Sequence, residues 1–196
     1  PLAAARHRRS RSVSAIISPC GAYRYRLERS IGGLLAGPTF AWIMVNPSTA
    51  DAEANDHTIR KVIGFSERLG AGHIVVGNLF AYRATDIRAL RTAADPIGVD
   101  GGDHLRAIMR EAKKVIVAWG PCAKLPRWLR NRWMEVAGIA EANGIPLWCL
   151  GTAQDGHPLH PLTLGYERSL SIWKRPDLEA LAERGVRPTE AMGAAA

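Results

Sequence analysis

Phe40-Ala41-Trp42-Ile43-Met44-Val45 runs without a polar residue and then stops at Asn46-Pro47-Ser48. Six apolar residues are too few for a helix, and they lack the alternation of a strand with one wet face. They fit a strand covered on both sides, which is the setting of a parallel sheet. Three more short runs are largely apolar and lack polar alternation, at residues 74–79, 115–119 and 146–150. Between them the apolar spacing is helical. Asp56 is placed to cap a helix carrying Ile59, Val62, Ile63 and Leu69 on one face, with Gly70 to stop it. Residues 103–112 form a second candidate helix and residues 125–143 a third, ended by Asn143-Gly144. This alternation predicts an α/β fold: a three-layer sandwich around a central, mainly parallel four-stranded sheet, joined by right-handed crossovers.

Upstream, residues 13–18 and 23–29 read as two strands around the turn-rich Ser18-Pro19-Cys20-Gly21, an N-terminal β-hairpin. Tyr23, Tyr25 and Leu27 alternate there with Arg24, Arg26 and Glu28, the period of a strand with one buried face. The chain has 196 residues, 47% hydrophobic and 22% charged, enough for one domain with its own core. We expect a basic tail over residues 1–12, an α/β domain over 13–175, and a C-terminal helix and tail over 176–196. No apolar run is long enough to span a membrane, and the basic opening lacks the apolar stretch of a secretory signal. Cys20, Cys122 and Cys149 lie far apart with no CxxC pair, which argues against a disulfide framework or zinc ribbon and favours a cytoplasmic protein. No phosphate-cradling glycine loop is present, and no metal-binding spacing stands out, so no cofactor is expected.

The net charge of +8 is unevenly spread. Residues 1–30 hold seven arginines against Glu28, and residues 110–132 hold seven basic residues against Glu111. Clustered like charges add their fields and suggest a polyanion partner. We expect a monomer that contacts DNA through Arg24, Arg26, Arg29 and a basic helix carrying Lys124, Arg127, Arg130 and Arg132. Arg83 reads equally as a phosphate clamp or as the partner of Asp86, while Trp128 and Trp133 read as helix-packing residues and Cys122 as a buried thiol.

Ligands of open α/β sheets sit outside the carboxyl ends of the strands. The segments expected there are Asn46-Pro47-Ser48-Thr49-Ala50-Asp51, Asn78 with Ala81-Tyr82-Arg83-Ala84-Thr85, Trp119-Gly120-Pro121, and Gly156-His157-Pro158-Leu159-His160-Pro161-Leu162. With CGAYRYRLER before them, these stretches resemble the bacterial and phage family known as domain of unknown function 1643, over residues 18–165. A second likeness is to the uracil-DNA glycosylase superfamily. Its members carry an Asp-Pro-Tyr or Asn-Pro-Gly loop, a strand ending in Asn, a Leu-Trp-Gly, and a His-Pro-Ser-Pro-Leu loop. This chain is similar to that series at Asn46-Pro47-Ser48, Val76-Gly77-Asn78, Ala118-Trp119-Gly120 and the two His-Pro steps at His157 and His160.

That resemblance implies a glycosylase-like sheet and a DNA glycosylase that flips out a base and hydrolyses its bond to the sugar. Such chemistry needs donors aimed at the leaving base and a polar group that holds a water. By resemblance, Asn78 reads the base edge, His157 or His160 stabilises the leaving anion, and Asn46 holds the water. Pro47, Ser48, Phe80 and Trp119 would line the base pocket. Two departures matter. Asn46 stands where the fastest uracil enzymes have a carboxylate and cannot act as a base, so Asp51 or Asp56 is an alternative source. Ser48 replaces a bulky tyrosine beside the pyrimidine 5-position, which leaves room for 5-substituted bases in damaged or phage DNA. A non-catalytic nucleotide or nucleic-acid binding module and a transferase acting on a free nucleoside are the alternative readings.

Overall fold

The computed structural model describes residues 14–31, 37–48, 50, 51 and 54–177. The tail expected over residues 1–12, residues 178–196 of the C-terminal unit and the Lys124 side chain lie outside the described residues. In chain order the elements are β1 (Ser14–Ile17), β2 (Arg24–Ser30), β3 (Thr39–Met44), α1 (His57–Arg68), β4 (His73–Asn78), α2 (Gly101–Glu111), β5 (Lys114–Val117), α3 (Trp133–Ala142), β6 (Leu147–Cys149) and β7 (Ser171–Ile172). The apolar runs become β3, β4, β5 and β6, each parallel to its neighbours in the order β4-β3-β5-β6. The sheet, however, has seven strands rather than four. β2 pairs antiparallel with β4, so the hairpin extends the sheet and covers the β4 edge. β7 does the same for β6, and its two residues are too few to show a period in sequence.

Successive side chains of a strand point to opposite faces. Phe40, Trp42, Ile74, Val76 and Ile116 therefore pack with Ile59, Val62 and Phe65 of α1. Ala41, Ile43, Val75, Val115 and Val117 pack with Leu105 and Ile108 of α2 and Trp133 and Val136 of α3. Helices thus lie on both faces, giving three layers. Asp56 caps α1 as its position predicts, accepting the Ile59 N–H at 2.8 Å, and Gly70 ends it in the left-handed region at φ +79°. Trp42, fully buried, donates its indole N–H to Ser66 of α1 at 2.9 Å, so neither polar group is left without a partner in the core.

The third predicted helix is shorter than the sequence suggests. Pro126 has no N–H to donate and restricts the residue before it, so 122–132 fold as two tight turns, Cys122–Lys124 and Arg127–Leu129, and α3 starts only at Trp133. The expected basic helix face does not exist. Among the described residues no helix is long and apolar enough to cross a membrane.

The strands run parallel, but the order in which they are added reverses at β3, because β4 lies on one side of it and β5 on the other. This is the topological switch point, and the crevice outside the carboxyl ends of β3 and β5 is where such sheets hold ligands.

Candidate functional site

The loop after β3 is stitched to the loop after β4. The Asn46 side-chain N–H donates to the Ala84 carbonyl at 2.8 Å, and the Ala84 N–H donates to the Pro47 carbonyl at 2.9 Å. That bond fixes which end of the Asn46 amide faces away from Ala84: its oxygen. Pro47 is buried and Ser48 half-buried. Asp51 accepts the Ala54 N–H at 2.9 Å and so closes a turn of its own loop.

Two buried arginines of β2 brace the same loop. Alternation would put Arg24 on the face of Arg26 and Glu28, which looks toward α2 through the pairing of Arg26 with Glu28 and Glu111. The register slips, however: Ile16 faces Arg26 and Ile17 faces Arg24, a bulge at Tyr25. A bulge re-aims the side chains beyond it. Arg24 consequently joins Leu27 and Arg29 on the α1 face and donates to the Ala50 carbonyl. Arg29 donates to the Asp51 and Ala54 carbonyls and, at 2.7 Å, to Asn55.

These contacts correct the expected DNA footprint. Arg24 and Arg29 are only 3% and 4% exposed, so neither lies on an outer surface. Arg26 is tied to its two glutamates. Arg130 donates to the Leu125 and Ala123 carbonyls, and Arg132 pairs with Glu135 and reaches the Leu79 carbonyl. Arg83 donates to the Gly21 carbonyl at 3.2 Å rather than pairing with Asp86, whose partner is Arg88 at 2.7 Å. Arg127 is exposed, and so is Trp128, which was expected to pack. The short turn carrying them buries Leu125 and Leu129 instead.

Asn78 closes β4 opposite Met44 of β3, and it shares strand parity with Ile74 and Val76, hence the α1 face. It is 6% exposed and its side-chain N–H has no acceptor. Phe80 and Trp119 depart from the predicted base pocket. Both belong to the core on the α2/α3 face, where Trp119 meets Trp173 edge-on at 5.3 Å. Trp119 follows Val115 and Val117 by steps of two, so its parity sends it there.

The two histidines divide. His157 is buried in that same core, edge-on to Trp133 at 5.4 Å, and its Nδ1 accepts the Trp119 indole N–H at 3.4 Å. Its proton therefore sits on Nε2, and burial holds its pKa below the ordinary value, with Asp155 opposing. The Cys122 thiol, 3.8 Å from Nδ1, is pushed up to about 12 by burial and then by Asp155, so it is an inert thiol. His160 lies at the crevice instead. Gly120, in the left-handed region at φ +80°, lies three residues beyond β5, and a Cβ there would stand 3.3 Å from the His160 Cβ. The His160 Nδ1 accepts the Leu162 N–H at 3.3 Å, which places the ring proton on Nε2.

The His-Pro loop thus starts in one core at His157, passes the end of β5 at His160 and enters the other core at Leu164. Tyr166 then clamps it to α1: the ring meets Phe65 at 4.9 Å, with Lys61 Nζ and Arg68 Cζ each 4.0 Å from its centre. Gly64 makes room for Tyr166. The sequence reading missed this clamp, although a glycine inside a helical pattern is a sign of close approach.

A family described as "Protein of unknown function (DUF1643)" matches residues 24–162, from the start of β2 through the His-Pro loop. No curated protein and no solved structure matches the chain.

Proposed function

The chain belongs to the DUF1643 family, and we propose that its switch-point crevice holds a base flipped out of DNA and hydrolyses the bond from that base to its sugar. The observation that carries this reading is Asn78, whose buried N–H has no protein acceptor at the carboxyl edge of the sheet. A buried donor left unpaired costs about 1–3 kcal/mol, a cost that a base carbonyl removes on binding. The same amide's oxygen accepts from a base N–H, so one side chain reads a base edge. The order of the Asn, Trp-Gly and His-Pro segments along the chain resembles the series of the glycosylase superfamily.

In the proposed reaction the bond from base nitrogen to C1′ breaks with its electron pair passing to the base. His160, with its proton on Nε2, donates a hydrogen bond to the base as negative charge develops. The Asn46 oxygen, or the Asp51 carboxylate, orients a water whose oxygen joins C1′; one water proton ends on the base. Asn46 takes up no proton, so bond breaking runs ahead of water attack, through a sugar cation of the kind glycosidases stabilise. Ser48 leaves space beside the 5-position, and we assign 5-substituted pyrimidines as the preferred bases, in repair or in defence against phages with modified genomes.

The test is incubation with duplex and single-stranded DNA carrying uracil, thymine and 5-substituted pyrimidines, followed by alkali. Strand breaks with the wild type that vanish in Asn78→Ala support the reading. Absence of breaks on every substrate overturns hydrolysis. It would favour a nucleotide-binding module, a second reading prompted by the commitment of the Asn46 amide to Ala84 and by the lack of a carboxylate at that position.

A further inference from the structure

Among the described residues, three buried side-chain N or O atoms have no hydrogen-bond partner: Arg24 Nε, Asn78 Nδ2 and Arg83 Nε. All three are N–H donors, and all belong to one corner. Arg24 opens β2 with its N–H bonded to the Ala81 carbonyl, and Arg83 bonds by its own N–H to the Ala22 carbonyl. Asn78 closes the neighbouring strand β4 on the same α1 face. Random packing defects would strand carbonyls and hydroxyls as well. A corner with only unmet donors is complementary to acceptor oxygens.

Charge sharpens the point. Arg24 is 3% exposed, and neither it nor Arg83 has a carboxylate among its described hydrogen-bond partners. Burial lowers the Arg24 pKa to about 10, with Arg83 and Arg29 adding repulsion and Asp56 and Asp51 offsetting part of it. A guanidinium taken out of water costs several kcal/mol unless an anion accompanies it. The bulge at Tyr25 turns Arg24 into this corner instead of leaving it beside Glu28. The fold positions a buried cation whose printed side-chain hydrogen bond goes to a carbonyl, with Asp56 and Asp51 acting on it only through space.

We propose that Arg24 and Arg83 form a phosphate subsite next to Asn78, so that the ligand is a nucleotide held by its phosphate as well as by its base. This rests on the base-pocket reading above for Asn78, but the anion subsite is tested separately. The shared chemistry is a phosphate oxygen beside a nucleoside, from a free nucleoside monophosphate or from a phosphodiester in a strand. Guanidinium–phosphate bonds are charge-assisted and about twice as strong as neutral ones.

Isothermal titration with inorganic phosphate, thymidine, thymidine 5′-monophosphate and the dinucleotide thymidylyl-thymidine separates the possibilities. We expect at least one phosphate-bearing nucleotide to bind about tenfold tighter than thymidine, equivalent to ~1.4 kcal/mol. Arg83→Gln should erase that ratio, with a cooperative melt confirming that the variant is folded. Arg24→Lys keeps the charge and loses Nε, and it should erase the ratio too; if it fails to fold, Arg83→Gln decides. A monophosphate advantage identifies a free nucleotide, and a dinucleotide advantage identifies a strand. Equal affinity for thymidine and both phosphate-bearing probes overturns the subsite, as does a ratio that survives Arg83→Gln. Failure of the base reading looks different: Asn78→Ala would leave thymidine binding intact while inorganic phosphate still bound in an Arg83-dependent way.

Discussion

Gly64→Ala puts the clamp on the His-Pro loop to a quantitative test. Gly64 lies inside α1, where alanine is favoured over glycine by about 0.8–1 kcal/mol. In an open helix the substitution stabilises. Here a Cβ would stand 2.5 Å from the Tyr166 hydroxyl oxygen and 2.8 Å from Cζ, so the ring must leave. Departure loses the edge contact with Phe65, worth about 0.5–1.5 kcal/mol. It also loses the cation–π contacts of Lys61 and Arg68, each about 0.5–1 kcal/mol at an exposed site. The loss of roughly 1.5–3.5 kcal/mol exceeds the propensity gain, so Gly64→Ala should destabilise by ~0.5–2.5 kcal/mol.

In a Tyr166→Ala background the clash is gone and the same substitution should stabilise by about 1 kcal/mol. The sign reversal, measured by urea denaturation of the four proteins of the cycle, is the diagnostic. Equal effects of Gly64→Ala in both backgrounds would show that Tyr166 does not rest on α1. Because the loop carrying His160 is anchored by Tyr166, Gly64→Ala should also weaken nucleoside binding without touching a ligand-facing residue.

Asn78→Leu removes an unpaired buried donor and should raise stability by about 1 kcal/mol while abolishing base binding; a drop in denaturation midpoint would mean that the amide is satisfied in solution. His157 is held below its ordinary pKa, so below about pH 6.5 the unfolded chain takes a proton that the native core refuses. Its stability contribution is complete above that pH and declines as pH falls, and the decline should vanish in His157→Gln when midpoints are compared from pH 8 to 5. Iodoacetamide followed by mass spectrometry should label Cys20, exposed and with its pKa lowered by the Ser18 hydroxyl, and spare Cys122 and Cys149 in the native protein. Labelling of Cys122 at the Cys20 rate would contradict its burial.

What the sequence revealed follows what is local. β3 to β6 were legible because each is an apolar run buried on both faces, and α1 because Asp56 and Gly70 mark its ends. The start of α3 was misplaced because residues 125–132 have helical spacing but contain Pro126, and backbone restriction outweighs the pattern. β7 was invisible because two exposed residues owe their conformation to the β6 edge alone. At the site, Asn78 and the His-Pro loop fell at strand ends as expected, but sequence could not divide the two histidines. That division follows from Trp119, whose parity faces the α2/α3 core and takes His157 with it, while Gly120 leaves room for His160 at the edge.

The charge reading placed on the surface two arginines that the fold buries. Counting arginines along a stretch treats them as a surface field, and in residues 24–29 a one-residue bulge decides where each one goes. Arg26 remains on the α2 face with its glutamates, whereas Arg24 and Arg29 turn inward to hold the loop of Asn46 to Asp56. The same positive charge thus changes meaning. On the surface it would attract any polyanion at long range, screened by salt within about 8–10 Å. Inside, it acts at short range on whatever reaches the corner of Asn78, where screening is weak and geometry selects. On the proposed subsite, preference for an anionic ligand comes from three stranded donors rather than from net charge, and discrimination resides in the first few ångströms of contact.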